Sequence, residues 1–246
     1  MRTAPEYILI LLGLAFVLAF VRLLRLVRGK DAAQLSRSLP LLVLLFSGVF
    51  PFTYIIWKDP VLYDGLRHVL FALPSLVAIA ALYFEWLLRR LEVRRGGAAS
   101  KVATAVVMLS IAFVTYNLVS LHPYQYVYFN SISGGLSGAF GRDETDYWGI
   151  SHQEAGEWLN QHIEATDPEG ERVYKVHQRY SRWMLEESLN PERFGMWQSR
   201  EGADFFVSIT RFNVHKSYPE ATLIHTVERQ GVPLCYVFSF MGADEE

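Results

Sequence analysis

VATAVVMLSIAFVTYNLVSL, residues 102–121, runs directly into HPYQYVYFN, residues 122–130, and this junction decides the class of the chain. The first stretch carries no charge over about 20 residues, the length a helix needs to cross the hydrocarbon core of a bilayer. Downstream, as far as residue 246, no comparable stretch recurs. Upstream there are three, at 7–26, 39–57 and 69–88. A bilayer forces each to be helical, because no water is present to satisfy its amides. The expected fold is therefore an α-helical membrane protein with four transmembrane helices, followed by a small soluble α/β domain.

This reading divides the chain into three parts. Residues 1–121 form the transmembrane helical module, with helices at about 7–26, 39–57, 69–88 and 102–121. Residues 122–150 form an interfacial loop, aromatic and then Gly-rich, that ends in a DYWG motif. Residues 151–246 form an extracytoplasmic α/β domain. The hydrophobic fraction of 51% and the net charge of −2 look ordinary only because they average a basic membrane half with an acidic one. No basic patch interleaved with aromatics points to nucleic acid. Cys235 is the single cysteine, so neither an internal disulfide nor a cysteine-based metal site is available. Its place in a C-terminal strand marks it as a small core residue. In the first apolar stretch the positive charges follow the run, and no small-residue cleavage site is evident. It therefore reads as a membrane helix and not as a signal sequence.

Loop charges set the expected orientation. Arg22, Arg25, Arg28, Lys30 and Arg37 lie between helices one and two, and Arg89, Arg90, Arg94, Arg95 and Lys101 between helices three and four. The loop between helices two and three has only Lys58 and Arg67 at its ends. The positive-inside rule makes the two basic loops cytoplasmic. The chain is thus expected to be integral to the cytoplasmic (inner) membrane, with its N-terminus and C-terminal domain extracytoplasmic. Arg22 and Arg25 are expected to snorkel to the inner surface. Pro51 and Pro74 are expected to kink their helices.

Tyr124, Tyr126, Tyr128 and Phe129 suit a membrane–water boundary, where amphipathic rings anchor. The run SISGGLSGAFG, 131–141, reads as a loop without the lysine of a nucleotide-binding P-loop. Ser151 and Glu154 have the spacing of a capping box, and Ala155, Trp158, Leu159 and Ile163 give the following helix an apolar face. Strands are expected at 172–177 and 204–209, a helix at 181–189, and a hairpin of 221–228 with 234–240 around Gln230-Gly231.

Two places carry candidate chemistry. Arg67 and His68 stand where the third helix enters the membrane. An arginine there can hold a lipid phosphate by paired hydrogen bonds, at a helix end whose dipole favours an anion. Interfacial anchoring and pairing with Asp64 is the other reading of the same residues. Further on, Asp143, Glu144 and Asp146 form an acidic cluster. Glu144 and Asp146, one residue apart, can hold a hard divalent cation or do acid–base work. Tyr147 and Trp148 offer flat faces for stacking on a sugar or another ligand. Alternatively, Asp146 satisfies backbone amides ahead of the helix. His122, His152, His162 and His177 lack metal-binding spacing.

GLRHVLFALP (65–74), LHPYQYVYFN (121–130), the Gly-rich turn and ETDYWGIS (144–151) together resemble the C-terminal portion of bacterial GT-C membrane glycosyltransferases. The type is family 39, protein-mannosyltransferase-like and aminoarabinose-transferase-like, and the resemblance runs over roughly residues 40–165. It implies transfer of a sugar from a polyprenyl-phosphate donor on the extracytoplasmic side. Arg67 and His68 would bind the lipid phosphate. Tyr124, Gln125, Tyr147 and Trp148 would contact acceptor or sugar. No residue of this chain matches the family's catalytic acid, so Asp64, Glu144 and Asp146 are candidates for the catalytic carboxylate only if the chain transfers alone. A divalent cation is a candidate cofactor through Glu144 and Asp146. The chain departs from the family where the loop after its first helix is basic, since the family's catalytic acid lies in an acidic outward loop there. The expectation is a C-terminal portion whose partners are the bilayer, the lipid-linked donor and a separate N-terminal half. The competing expectation is a non-catalytic, membrane-anchored binding module.

Overall fold

The computed structural model describes residues 2–29, 32–60, 67–170 and 172–241. It divides into two compact units, Thr3–Tyr116 and Asn117–Glu246, with Arg2 grouped with the second.

The helical unit contains α1 (Glu6–Gly29), α2 (Ala32–Lys58), a 3-10 helix (Arg67–Ala72) continuing into α3 (Leu73–Arg95), and α4 (Gly97–Ser120). All four α-helices are long and apolar enough to span a membrane. Leu12 and Ala15 of α1 pack on Leu76, Ile79 and Ala80 of α3, with Leu44 and Leu45 of α2 against the same cluster. Gly48 lets α2 approach closely, because a Cβ there would stand 2.9 Å from the Leu76 side chain. Lipid-embedded helices use small residues in this way to bring backbones together. On α4 only Val114 is buried. Its exposed Val106, Leu109, Phe113 and Val119 would be a liability in water but are ordinary against lipid. The hydroxyls of Ser47, Thr104 and Ser110 donate to carbonyls one turn back, a satisfaction that hydrocarbon requires. Pro40 and Pro51 lie within the continuous α2. Pro74 does not interrupt a helix as expected. It sits in the first turn of α3, where its missing N–H would have had no partner anyway.

The second unit is a five-stranded mixed sheet in the order β2-β1-β3-β5-β4. β1 (Tyr174–Gln178) runs parallel to both β2 (Phe194–Trp197) and β3 (Phe205–Ile209). β5 (Val232–Ser239) runs antiparallel to β3 and to β4 (Thr222–Arg229). β3, FFVSI, is central and buried at every position. The hairpin turns on Gln230 and Gly231, both with positive φ, the geometry that matches strand twist in a two-residue loop. α6 (Ser151–Thr166) lays Ala155, Leu159 and Ile163 on the sheet, and α7 (Arg182–Ser188) packs beside it. Elsewhere in the unit Phe206, Val214 and Phe240 form a second cluster with Tyr218 and Phe238 around them.

Three local expectations are corrected. The 131–141 run is no open loop but a 3-10 turn followed by α5 (Gly135–Ala139). Tyr124 and Tyr128 are buried, with Tyr124 donating its hydroxyl to Glu154 at 2.7 Å, so neither ring is an interfacial anchor. Ser151 and Glu154 form no capping box. Asp146 caps the helix from five residues upstream, which leaves Glu154 to pair with Arg229 at 2.6 Å.

Candidate functional site: a polar cleft beside the DYWG turn

Asp146 is only 2% exposed. Its Oδ1 accepts from the amides of Gly149 (2.8 Å) and Ile150 (3.1 Å) and from the Tyr126 hydroxyl. Oδ2 accepts from the Ser151 amide (3.0 Å) and the Ser151 hydroxyl. One carboxylate thus takes the first amide of α6 and the two before it, while those of His152 and Gln153 go to the Gly149 and Ile150 carbonyls. With five donors on two oxygens, it has little capacity left for a cation or a substrate proton, contrary to the candidacy of Asp146 as base or metal ligand. Burial, and then the Asp146 charge, push the Tyr126 hydroxyl far above its ordinary pKa, so it stays a donor. Gly149 has φ of 72°, and a Cβ there would stand 2.8 Å from Ser181 and 3.0 Å from His152 Nδ1. His152 itself is fully buried. Burial, only partly opposed by the Asp146 charge and a backbone hydrogen bond at Ser181, holds its pKa down to about 4.

Glu144, two residues earlier, has a different setting. It lines a cleft of about 290 Å³ whose walls are segments 140–144 and 210–216, with Tyr236 of β5. The two walls are tied together. The Phe212 amide donates weakly to Glu144 Oε1 at 3.4 Å, Thr145 and Thr210 share a hydroxyl contact at 3.3 Å, and Arg211 donates to the Tyr147 carbonyl at 2.9 Å. Asp143 is held by Arg142 at 3.1 Å and by Arg2. His215 stacks on Tyr236 with ring centroids 5.0 Å apart, and its buried Nδ1 has no partner. Burial, reinforced by Lys216, lowers the His215 pKa, so the ring is favoured neutral.

The second wall is strained. Phe212 (φ 51°) and Asn213 (φ 56°) both occupy the left-handed region. Asparagine tolerates it, but phenylalanine there is a true outlier, and such outliers concentrate at functional sites. The Phe212 ring is nevertheless 61% exposed at the cleft. Carboxylate, amide, hydroxyl and ammonium groups thus line one cavity together with aromatic rings. Such a mixture suits a polar ligand with apolar C–H faces.

The other expected site residues are placed as follows. Asp64 lies outside the described residues, as does the Arg67 side chain. His68 is exposed on the 3-10 helix that Arg67 opens. Arg67 and His68 belong to the helical unit, and Glu144 and Asp146 to the sheet unit. Tyr124 is buried, so it cannot touch an acceptor directly. Gln125 is exposed and shares a hydrogen bond with His122 at 2.8 Å. Tyr147 meets Tyr126 edge-on at 5.7 Å, and Trp148 is exposed beside Tyr147 at 5.6 Å. No three or more His, Cys, Asp or Glu side chains among the described residues converge as a metal site. Asn213, His215, Lys216 and Tyr236 were not anticipated, since only the fold brings 210–216 and β5 beside the acidic cluster.

Compared with protein-family models, curated proteins and solved structures, the chain matches none significantly.

Proposed function

We propose that this chain is the C-terminal portion of a membrane glycosyltransferase that moves a sugar from a polyprenyl-phosphate donor to an acceptor outside the cytoplasm. One observation carries the reading. The ETDYWGIS segment supplies Glu144 to a cleft large enough for a sugar ring, in a chain with four membrane-length helices. In this reading the cleft holds the acceptor. The carboxylate that takes a proton from its hydroxyl belongs to the separate N-terminal portion, or is Glu144 if the chain transfers alone. Arg67 stabilises the departing lipid phosphate, where charge develops in the transition state. The basic loops face the cytoplasm.

The test is transfer from radiolabelled polyprenyl-phosphate sugar, in membranes carrying the chain alone or with the polypeptide encoded immediately upstream. If the chain alone transfers, Glu144→Gln should lower transfer by about a hundredfold, as expected for loss of a general base; if only the pair transfers, the base lies in the upstream polypeptide. Arg67→Ala should abolish it. Unchanged transfer in either variant removes that residue from the mechanism. A second reading, a membrane-anchored saccharide-binding module, is favoured by the cleft lying wholly within the sheet unit. Saccharide binding without transfer in both preparations would establish that reading instead.

A further inference from the structure

At the basic end of the helical unit, Arg22 of α1 and Arg90 of α3 converge on one ring. Their guanidinium carbons lie 5.5 and 5.4 Å from the centre of Trp86. Two cations on one ring repel each other, and a counter-charge would be expected from a neighbouring acid. Among the described residues neither arginine has one. Glu85 is taken by Arg89 at 2.6 Å, and Arg25, Arg28, Arg94 and Arg95 add further positive charge at the same end.

Arg22 and Trp86 also line an apolar cleft of about 70 Å³, together with Tyr83, Ala19, Leu41 and Leu82. Arg22 stands near the end of its membrane-length stretch, Glu6–Arg25, and Arg90 near the end of His68–Arg95. In helices that span a bilayer, such positions fall toward the headgroups. A guanidinium meeting a ring through its face keeps its in-plane N–H donors for a phosphate.

We propose that Arg22, Arg90 and Trp86 form a binding site for an anionic glycerophospholipid. The phosphodiester sits between the two guanidiniums, and the first methylenes of an acyl chain lie in the cleft between α1, α2 and α3. Basic pockets between membrane helices recognise lipid headgroups by this combination of charge and apolar floor. The proposal does not depend on the glycosyltransferase reading.

The experiment is native mass spectrometry of the full chain, delipidated in detergent and offered phosphatidylglycerol and phosphatidylcholine in equal amounts. Wild type should retain phosphatidylglycerol about tenfold to thirtyfold better, given the contribution of two basic residues near an anionic surface. Arg22→Gln with Arg90→Gln should abolish the preference, and Arg95→Gln should keep it. Arg22→Lys with Arg90→Lys, which keeps the charge but not the paired donors, should give an intermediate preference and serves if the neutral pair does not fold. An equal amount of polyprenyl phosphate should leave the phosphatidylglycerol in place. Equal retention of the two phospholipids by wild type, an equal loss in Arg95→Gln, or displacement by polyprenyl phosphate would each overturn the proposal.

Discussion

At the scale of single residues, Asp146 and His152 show what it costs to build the start of α6. A buried carboxylate is tolerated because five donors compensate its lost hydration. His152 is compensated less well: the Asp146 charge and a backbone hydrogen bond at Ser181 offset its burial only in part. Its folded-state pKa of about 4 lies below the ordinary 6.5, so between these values the unfolded chain takes up a proton that the folded one refuses. Stability therefore rises with pH in that window and is lost as pH falls from about 6.5 towards 4. Glu154 acts in the same direction. Burial raises its pKa, but the hydrogen bonds from Arg229 and Tyr124 outweigh that and lower it, so its contribution is lost at still more acid pH. The His152 term amounts to about 2 kcal/mol between pH 7 and pH 5. Hydrogen exchange of the α6 amides, corrected for intrinsic rates, should report that loss in wild type and little of it in His152→Met. Equal losses in both would show that His152 is not the titrating group. Capping by Asp146 was legible as one of two alternatives, because an acid ahead of an apolar-periodic run is a known start signal. The burial of His152 was not legible, because HQEAGEW reads equally well with the histidine on the wet side.

At the scale of elements, length and hydropathy made α1–α4 readable, and alternation with a Gln-Gly turn did the same for β4 and β5. β2 escaped because FGMW is four residues long, contains a glycine and owes its strand state to pairing with β1. The 211–216 segment escaped for a different reason. Nothing in RFNVHK announces two consecutive left-handed residues, which go with the packing of Val214, the tie to Glu144 and the contacts of the Phe212 ring with Tyr180 and Arg211. That strain is testable. Phe212→Gly removes a left-handed β-carbon at a site where the ring is mostly exposed. The sheet unit should gain about 1 kcal/mol, because relief of strain outweighs the greater freedom of glycine in the unfolded chain. The same change should weaken saccharide binding in the cleft, since it removes an aromatic wall. Denaturation followed by near-ultraviolet circular dichroism, with saturation-transfer NMR on methyl mannoside, reads both effects. Loss of stability together with unchanged binding would mean that the conformation serves packing alone.

At the scale of the whole molecule, the two units have surfaces of different character, and the sequence carries a test of where each faces. The helical unit displays apolar side chains outward, whereas the sheet unit hides Phe205, Phe206, Leu234 and Val237 completely. Charge asymmetry between the loops predicts that the basic end is cytoplasmic and the sheet unit is not. The single cysteine makes this easy to examine. Cys235 is fully buried, and burial, followed by the Asp146 charge, raises its thiol well above the ordinary range, so the wild-type chain should be silent to maleimides at neutral pH. New cysteines at exposed positions then report without background. Val93→Cys, at the basic end of α3 and 88% exposed, should resist a membrane-impermeant maleimide in intact cells and react after lysis. Ile132→Cys, in the sheet unit and 68% exposed, should react in intact cells once any outer barrier is permeabilised. The reverse pattern would place the sheet unit in the cytoplasm. A polyprenyl-phosphate donor presented on the outer surface could not then reach the cleft, and the transfer proposal would fall with the orientation. The phospholipid site would survive either pattern, because its argument needs only that the basic end lie at a headgroup surface.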